Sequence, residues 1–109
     1  MKKNNNPTPR EKRTGDYWKK LNQVMDPELN LGIVDLGLIY NLNIDKKGNA
    51  KVVMTLTSPV CPSGPEIMEE IKSTLTNFKG IKKVKIELVW DPAWSPDMMD
   101  EILREILFG

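Results

Sequence analysis

From Leu38 to Trp90 the apolar residues of this 109-residue chain change period twice, and that switch restricts the fold more than any other feature. Leu38, Tyr40, Leu42 and Ile44 alternate with Ile39, Asn41, Asn43 and Asp45, the pattern of a strand with one buried face. A turn over residues 45–49, with Gly48 free to take positive φ, leads into a second alternating run. This run puts Val52, Met54 and Leu56 on one face and Lys51, Val53, Thr55 and Thr57 on the other, and the two strands are expected to pair antiparallel. The spacing then becomes helical through Ile67, Ile71, Leu75 and Phe78, with Gly80 placed to cap the end. Period two returns with Val84, Ile86, Leu88 and Trp90 facing in and Lys83, Lys85 and Glu87 facing out.

Helical spacing also flanks this stretch. Asp16 is placed to cap a helix carrying Tyr17, Trp18, Leu21, Val24 and Met25, and Asp26-Pro27 ends it, because the residue before a proline resists helical geometry. Residues 28–37 have no clean period and read as a structured loop. Ser95 and Pro96 stand as N-cap and first residue of a last helix, with Met99, Ile102, Leu103, Ile106 and Leu107 as its buried stripe. The order is α-β-β-α-β-α. Since each strand has one apolar and one largely polar face, the expected architecture is α/β (α+β): a two-layer sandwich, with helices on one face of a small mixed three-stranded sheet. Residues 1–15 contain no apolar residue after Met1 and read as a disordered basic tail, leaving 16–109 as a single domain.

Charge and composition exclude several functions. Sixteen basic against fifteen acidic residues give a net charge of +1, whereas a protein that holds a phosphate backbone carries a strong basic excess. No nucleic acid partner is expected. Tyr40 and Trp90 fall on the apolar side, away from any base-stacking surface. No apolar run approaches the ~18 residues of a membrane span, and no apolar segment follows the basic N-terminus as in a signal peptide. The reading is a cytoplasmic protein with no membrane contact.

One cysteine and no histidine leave few chemistries. Cys61 lies in a Pro/Ser/Gly loop, and Ser63 and Glu66 have the spacing of a capping box opening the next helix. A thiol just ahead of a helix N-terminus is favoured as thiolate, which is both a nucleophile and a metal ligand. The alternative is a small apolar side chain tucked under the loop. A cysteine protease would need a histidine base. A thiol-dependent peroxidase would need a different strand pattern and a nearby arginine. A structural zinc site or an iron–sulfur cluster takes about four ligands, so one chain cannot complete either; a transient site shared with another chain stays open. Asp26, Asp35 and Asp91 each sit at a Pro or Leu-Gly break, where aspartate ordinarily serves turns.

Taken in order, Asp26-Pro27-Glu28, the run Ile33 to Tyr40, Met54 to Thr57, Cys61-Pro62 and Trp90-Asp91-Pro92 with Trp94 resemble the SufT/PaaD-like family of metal–sulfur cluster assembly domains over nearly all of residues 17–109. The resemblance implies the iron–sulfur assembly fold. It implies an accessory or targeting role in iron–sulfur protein maturation, not an enzyme. Cys61 would be the functional thiol, with Asp35, Thr55, Thr57, Pro62 and Ser63 as its cleft neighbours. No tightly bound cofactor is implied, only a transient iron–sulfur cluster that Cys61 would ligate together with another chain. Implied partners are iron–sulfur scaffold or carrier proteins, a P-loop ATPase that carries clusters, apo client proteins, and a second copy in a homodimer. The chain ends without the cysteine-rich extension of the phenylacetate branch, which favours the general maturation branch.

Overall fold

The computed structural model describes residues 15–27, 29–58 and 62–108. The expected tail (but for Gly15), Glu28 and Cys61 therefore lie outside the described residues. The elements are α1 (Asp16–Leu21), β1 (Met25–Asp26), β2 (Leu31–Gly32), β3 (Ile39–Ile44), β4 (Asn49–Met54), α2 (Gly64–Thr76), β5 (Lys83–Leu88), a 3-10 turn (Pro96–Met98) and α3 (Glu101–Phe108). β4 is the central strand, antiparallel to β3 and parallel to β5, so the sheet is mixed. Ala50, Val52 and Met54 project from β4 into a core filled by Ile67, Ile71 and Leu75 of α2 and Trp18 and Leu21 of α1. A fully buried side chain of this size contributes about 1.5–3 kcal/mol, so this layer supplies most of the stability of so small a domain.

The structure departs from the sequence reading at four places. α1 stops at Leu21, with Gly15 at its N-cap and Asp16 as its first residue. Val24 is still buried, but Met25 is exposed in β1, because the Val24 carbonyl accepts a bond from Ile33 N–H and the chain enters the β1–β2 ladder. β3 has a register shift between Ile39, paired with Met54, and Asn41, paired with Val53. The extra residue is Tyr40, so Ile39 takes the core face while Tyr40 turns to the opposite side of the sheet.

The third departure is at the start of α2. Ser63 is the N-cap but makes no side-chain capping bond, because its αR backbone (ψ 0) is not the extended geometry from which a capping side chain reaches back over the first turn. Gly80, with positive φ, sits three residues beyond the true C-cap, Asn77. The fourth is the C-terminal region. The expected last helix is split into the 3-10 turn and α3 by an extended Met99. Met99 is buried and Leu103 packs partly on the core, but Ile102 and Ile106 are 64% and 72% exposed. Trp90, past the end of β5, is 43% exposed and does not continue the inward row.

Candidate functional site

Three segments meet at the end of the sheet where β3 begins and β4 and β5 finish. Thr55 N–H donates to the Leu38 carbonyl (2.9 Å) and Val89 N–H to the Met54 carbonyl (2.8 Å), which carries the strands' pairing into the loops. The segment 90–100 then straps across the loop before β3. The Trp94 indole Nε1–H donates to the Leu36 carbonyl at 2.7 Å. The Tyr40 hydroxyl donates to the Pro92 carbonyl at 2.7 Å and lies 3.3 Å from the Met98 sulfur. Asp100 N–H donates to the Asp35 carbonyl at 2.7 Å. Gly37 holds a φ of 81°, and a Cβ there would collide with the Met98 carbonyl, so the close approach of strap and loop requires glycine.

Asp35 is half-buried and tied to the end of α1. The Asn22 amide donates to Asp35 Oδ2 at 2.9 Å, and Asn22 Oδ1 accepts the Asp35 backbone N–H at 2.9 Å. Gly32 leaves the room for this clasp, since a Cβ there would strike the Asn22 side chain and carbonyl. The Asp35 carboxylate thus binds Asn22 and neither threonine.

Thr55 is fully buried, and its Oγ1 forms no hydrogen bond. It lies close enough to the Tyr40 phenol to temper the effect of burial, which raises that phenol above its ordinary value, but without hydrogen-bond geometry. Thr57 is half-buried and helps line a cleft of about 280 Å³ with Leu56, Trp90, Ala93 and Trp94. On the far side of the loop, Pro62 is exposed and Ser63 half-buried at the start of α2. The threonines and Ser63 therefore stand on the two supports of the Cys61 loop, and Asp35 belongs to the loop that the strap fastens at the same end. Among the described residues no cluster of three or more Cys, His, Asp or Glu side chains is arranged to hold a metal.

Asn22, Tyr40 and Trp94 are the residues that sequence reasoning missed as builders of this end. Asn22 follows the last helical residue, where asparagine signals only a helix end. Tyr40 read as core and Trp94 entered only as part of the family motif, although buried Tyr and Trp usually carry a hydrogen bond that fixes their neighbours.

The iron–sulfur cluster assembly protein family matches residues 18–88. A relative in Staphylococcus aureus, the Fe-S protein maturation auxiliary factor SufT, is 46% identical over 81 residues, covering 74% of this chain and 92% of that protein. An iron–sulfur cluster carrier protein of Mycobacterium leprae is 34% identical over 68 residues, which are 62% of this chain and 18% of the carrier. A crystal structure of a domain of unknown function from Bacillus anthracis superposes with a TM-score of 0.78 at 36% identity, covering 84% of this chain and 87% of that one. With more than half its length matched and a relative aligned along nearly its whole sequence, the chain belongs to the iron–sulfur cluster assembly protein family.

Proposed function

We propose that this protein is an auxiliary factor in the maturation of iron–sulfur proteins, acting through Cys61 and through contacts with other proteins rather than by turnover of a small molecule. The observation that carries the reading is the 46% identity to a maturation auxiliary factor over 92% of that factor's length. The cluster is cargo here. Cys61 as thiolate supplies one ligand to its iron, and the remaining ligands come from the donor or the recipient chain, because a cluster takes about four thiolates. One weakly held point of attachment suits transfer better than storage.

The neighbours have separate duties in this scheme. The N-terminus of α2, where Ser63 makes no side-chain capping bond, favours negative charge on the preceding loop. Thr55 offers a buried hydroxyl with an unused donor. Asp35, fixed by Asn22, is a placed carboxylate for a cationic group of the incoming protein. The carrier relative contains a stretch similar to this domain within a longer protein, which makes a P-loop carrier, a scaffold and apo clients the partners of this reading, with the cytoplasm as its site. The test is complementation of a bacterium lacking its own auxiliary factor, read as the activity of a [4Fe–4S] dehydratase. The wild-type chain should restore activity, and Cys61→Ser, folded by circular dichroism, should not. Full rescue by Cys61→Ser removes the thiol from the mechanism, and no rescue by the wild type removes the maturation role.

A further inference from the structure

The end of the sheet away from the candidate site is rich in lysine. The turn between β3 and β4 carries Lys46 and Lys47, and the chain entering β5 carries Lys79, Lys82 and Lys83. These two loops are clasped together, because the Gly48 carbonyl accepts N–H bonds from Lys82 (2.7 Å) and Lys83 (3.2 Å). A Cβ at Gly48 would strike the Gly80 carbonyl, so the contact is as close as backbone allows. On the sheet face turned away from the helices, Lys51 and Lys85 stand directly opposite each other across the β4–β5 ladder. Like charges so placed repel, at a cost of a few tenths of a kcal/mol or more. All of these lysines are exposed.

The acidic residues beside these lysines are Glu87, whose carboxylate lies 3.8 Å from Lys51, and Asp45. Asp45 is consumed within its own turn, accepting from Lys47 N–H (2.8 Å), Asn49 N–H (2.9 Å) and the Asn49 amide (3.0 Å). At the other end Asp35, Asp91, Asp97 and Asp100 lie on the loops and strap of the candidate site, and Glu66 lies in the first turn of α2. An edge strand needs only one or two lysines to discourage pairing with another sheet. Lys46, Lys47, Lys79, Lys82 and Lys83 together with Lys51 and Lys85 exceed that need, in a chain whose net charge is only +1.

The lysine face also has shape. A cleft of about 270 Å³ opens on this face, lined by Lys51, Lys85, Asn43, Asn49 and Asp45 and by the strand segments at Ile44 and Ala50, whose side chains belong to the core side. Lys51, Lys85 and Asn43 line a space the size of one acidic side chain, and Asp45 on the same cleft already has its carboxylate hydrogen-bonded within its own turn, so a carboxylate entering it finds donors in reach. The face bears no arginine fork and no aromatic ring, the two features that phosphate and base recognition use.

The geometry points to this cleft and the lysines around it as a docking surface for a partner protein that presents an Asp/Glu-rich segment. The contact is electrostatically steered, salt-sensitive and quick to release. It leaves the Cys61 end free to face a second protein, so a donor and a recipient engage opposite poles of one molecule. This last assignment rests on the maturation reading, whereas the acidic-segment surface itself does not.

The test is an amide-resolved NMR titration of the full chain with a twelve-residue Glu/Asp peptide at 50 mM salt. Chemical-shift changes should centre on residues 43–51 and 82–87 and vanish at 0.5 M salt. Lys51→Glu/Lys85→Glu should weaken binding at least tenfold, and Lys46→Gln/Lys82→Gln, which leaves the sheet face untouched, should weaken it severalfold. Cys61→Ser should bind the peptide as the wild type does, which separates this surface from the thiol's role. Shifts confined to the basic residues 1–14, equal binding by the double glutamate variant, or tighter binding of a twelve-residue oligouridylate would each overturn the proposal.

Discussion

Replacing Asn22 with aspartate keeps the side chain's shape but exchanges its N–H₂ donor for a second carboxylate oxygen, 2.9 Å from Asp35 Oδ2. At an effective dielectric of 20, two full charges at that separation repel by about 6 kcal/mol. The protein has a less costly alternative. The introduced carboxyl can keep its proton, and holding a group of ordinary pKa ~3.9 protonated at pH 7 costs about 4 kcal/mol, which caps the penalty. Loss of a charge-assisted hydrogen bond, about 1.5–3 kcal/mol, sets the lower end, and both partners are half-exposed, which screens the repulsion. Asn22→Asp should therefore lose about 2–4 kcal/mol at pH 7, or on the order of 10–30 °C in Tm for a domain of this length. The sign with pH is distinctive. A carboxyl whose folded pKa is raised binds more protons in the native state, so the variant is close to wild type below about pH 4 and loses stability as pH rises through the folded value. Asn22→Ala, which adds no ionisable group, should instead show no added loss as pH rises from 5 to 8. Thermal unfolding from pH 3.5 to 8 checks this, and an Asn22→Asp deficit that is absent at pH 7, or the same at pH 4 and pH 7, would refute the clasp between α1 and the Asp35 loop.

Four further outcomes follow from the same geometry. Tyr40→Phe removes the donor to Pro92 and should cost about 1–2 kcal/mol by chemical denaturation, with near-normal secondary structure. Because burial raises the Tyr40 phenol from its ordinary 10.0, the wild type should lose stability as pH climbs through 10 and beyond, and Tyr40→Phe should lose less; parallel curves would count against the buried phenol. Thr55→Val deletes a buried hydroxyl that has no partner, so its Tm should be no lower than wild type, yet it should fail the dehydratase complementation if the hydroxyl serves the loop. Ile71→Ala, at a fully buried position, should cost about 2–5 kcal/mol, whereas Trp90→Ala should cost about 1 kcal/mol; a Trp90 deficit equal to that of Ile71 would contradict its exposure.

The sandwich was legible because its signals are local and periodic. Val52 and Met54 on one face of β4, and Ile67, Ile71 and Leu75 along α2, are spaced as their elements require, and no distant contact alters them. What could not be read from the sequence depends on contacts far along the chain. The Tyr40 bulge reverses the parity of β3, because the phenol reaches a carbonyl 52 residues away, and no pattern within the strand encodes that partner. Met25 had helical spacing, but Ile33 drew the chain into a ladder first. Ile102 and Ile106 repeat at helical spacing as a core stripe would, yet in this fold α1 and α2 already cover the sheet's core face. For the candidate site, strand and helix signals located Thr55, Thr57 and Ser63 along the chain, but the grouping of the threonines with Asp35 around Cys61 came only from the resemblance, and the anchor Asn22 carried no signal.

The strap has a consequence for how the molecule is made. The bonds that close it join Trp94 to Leu36 across 58 residues and Tyr40 to Pro92 across 52, among the longest loops in the chain. Closing such loops carries an entropic cost that the short β3–β4 hairpin does not bear. On the ribosome, the hairpin and α2 leave the exit tunnel before any residue of the strap does. The pole that would handle an iron–sulfur cluster is therefore the last to be completed, so a nascent chain has no finished cargo site to offer until the rest of its sandwich is available to support it.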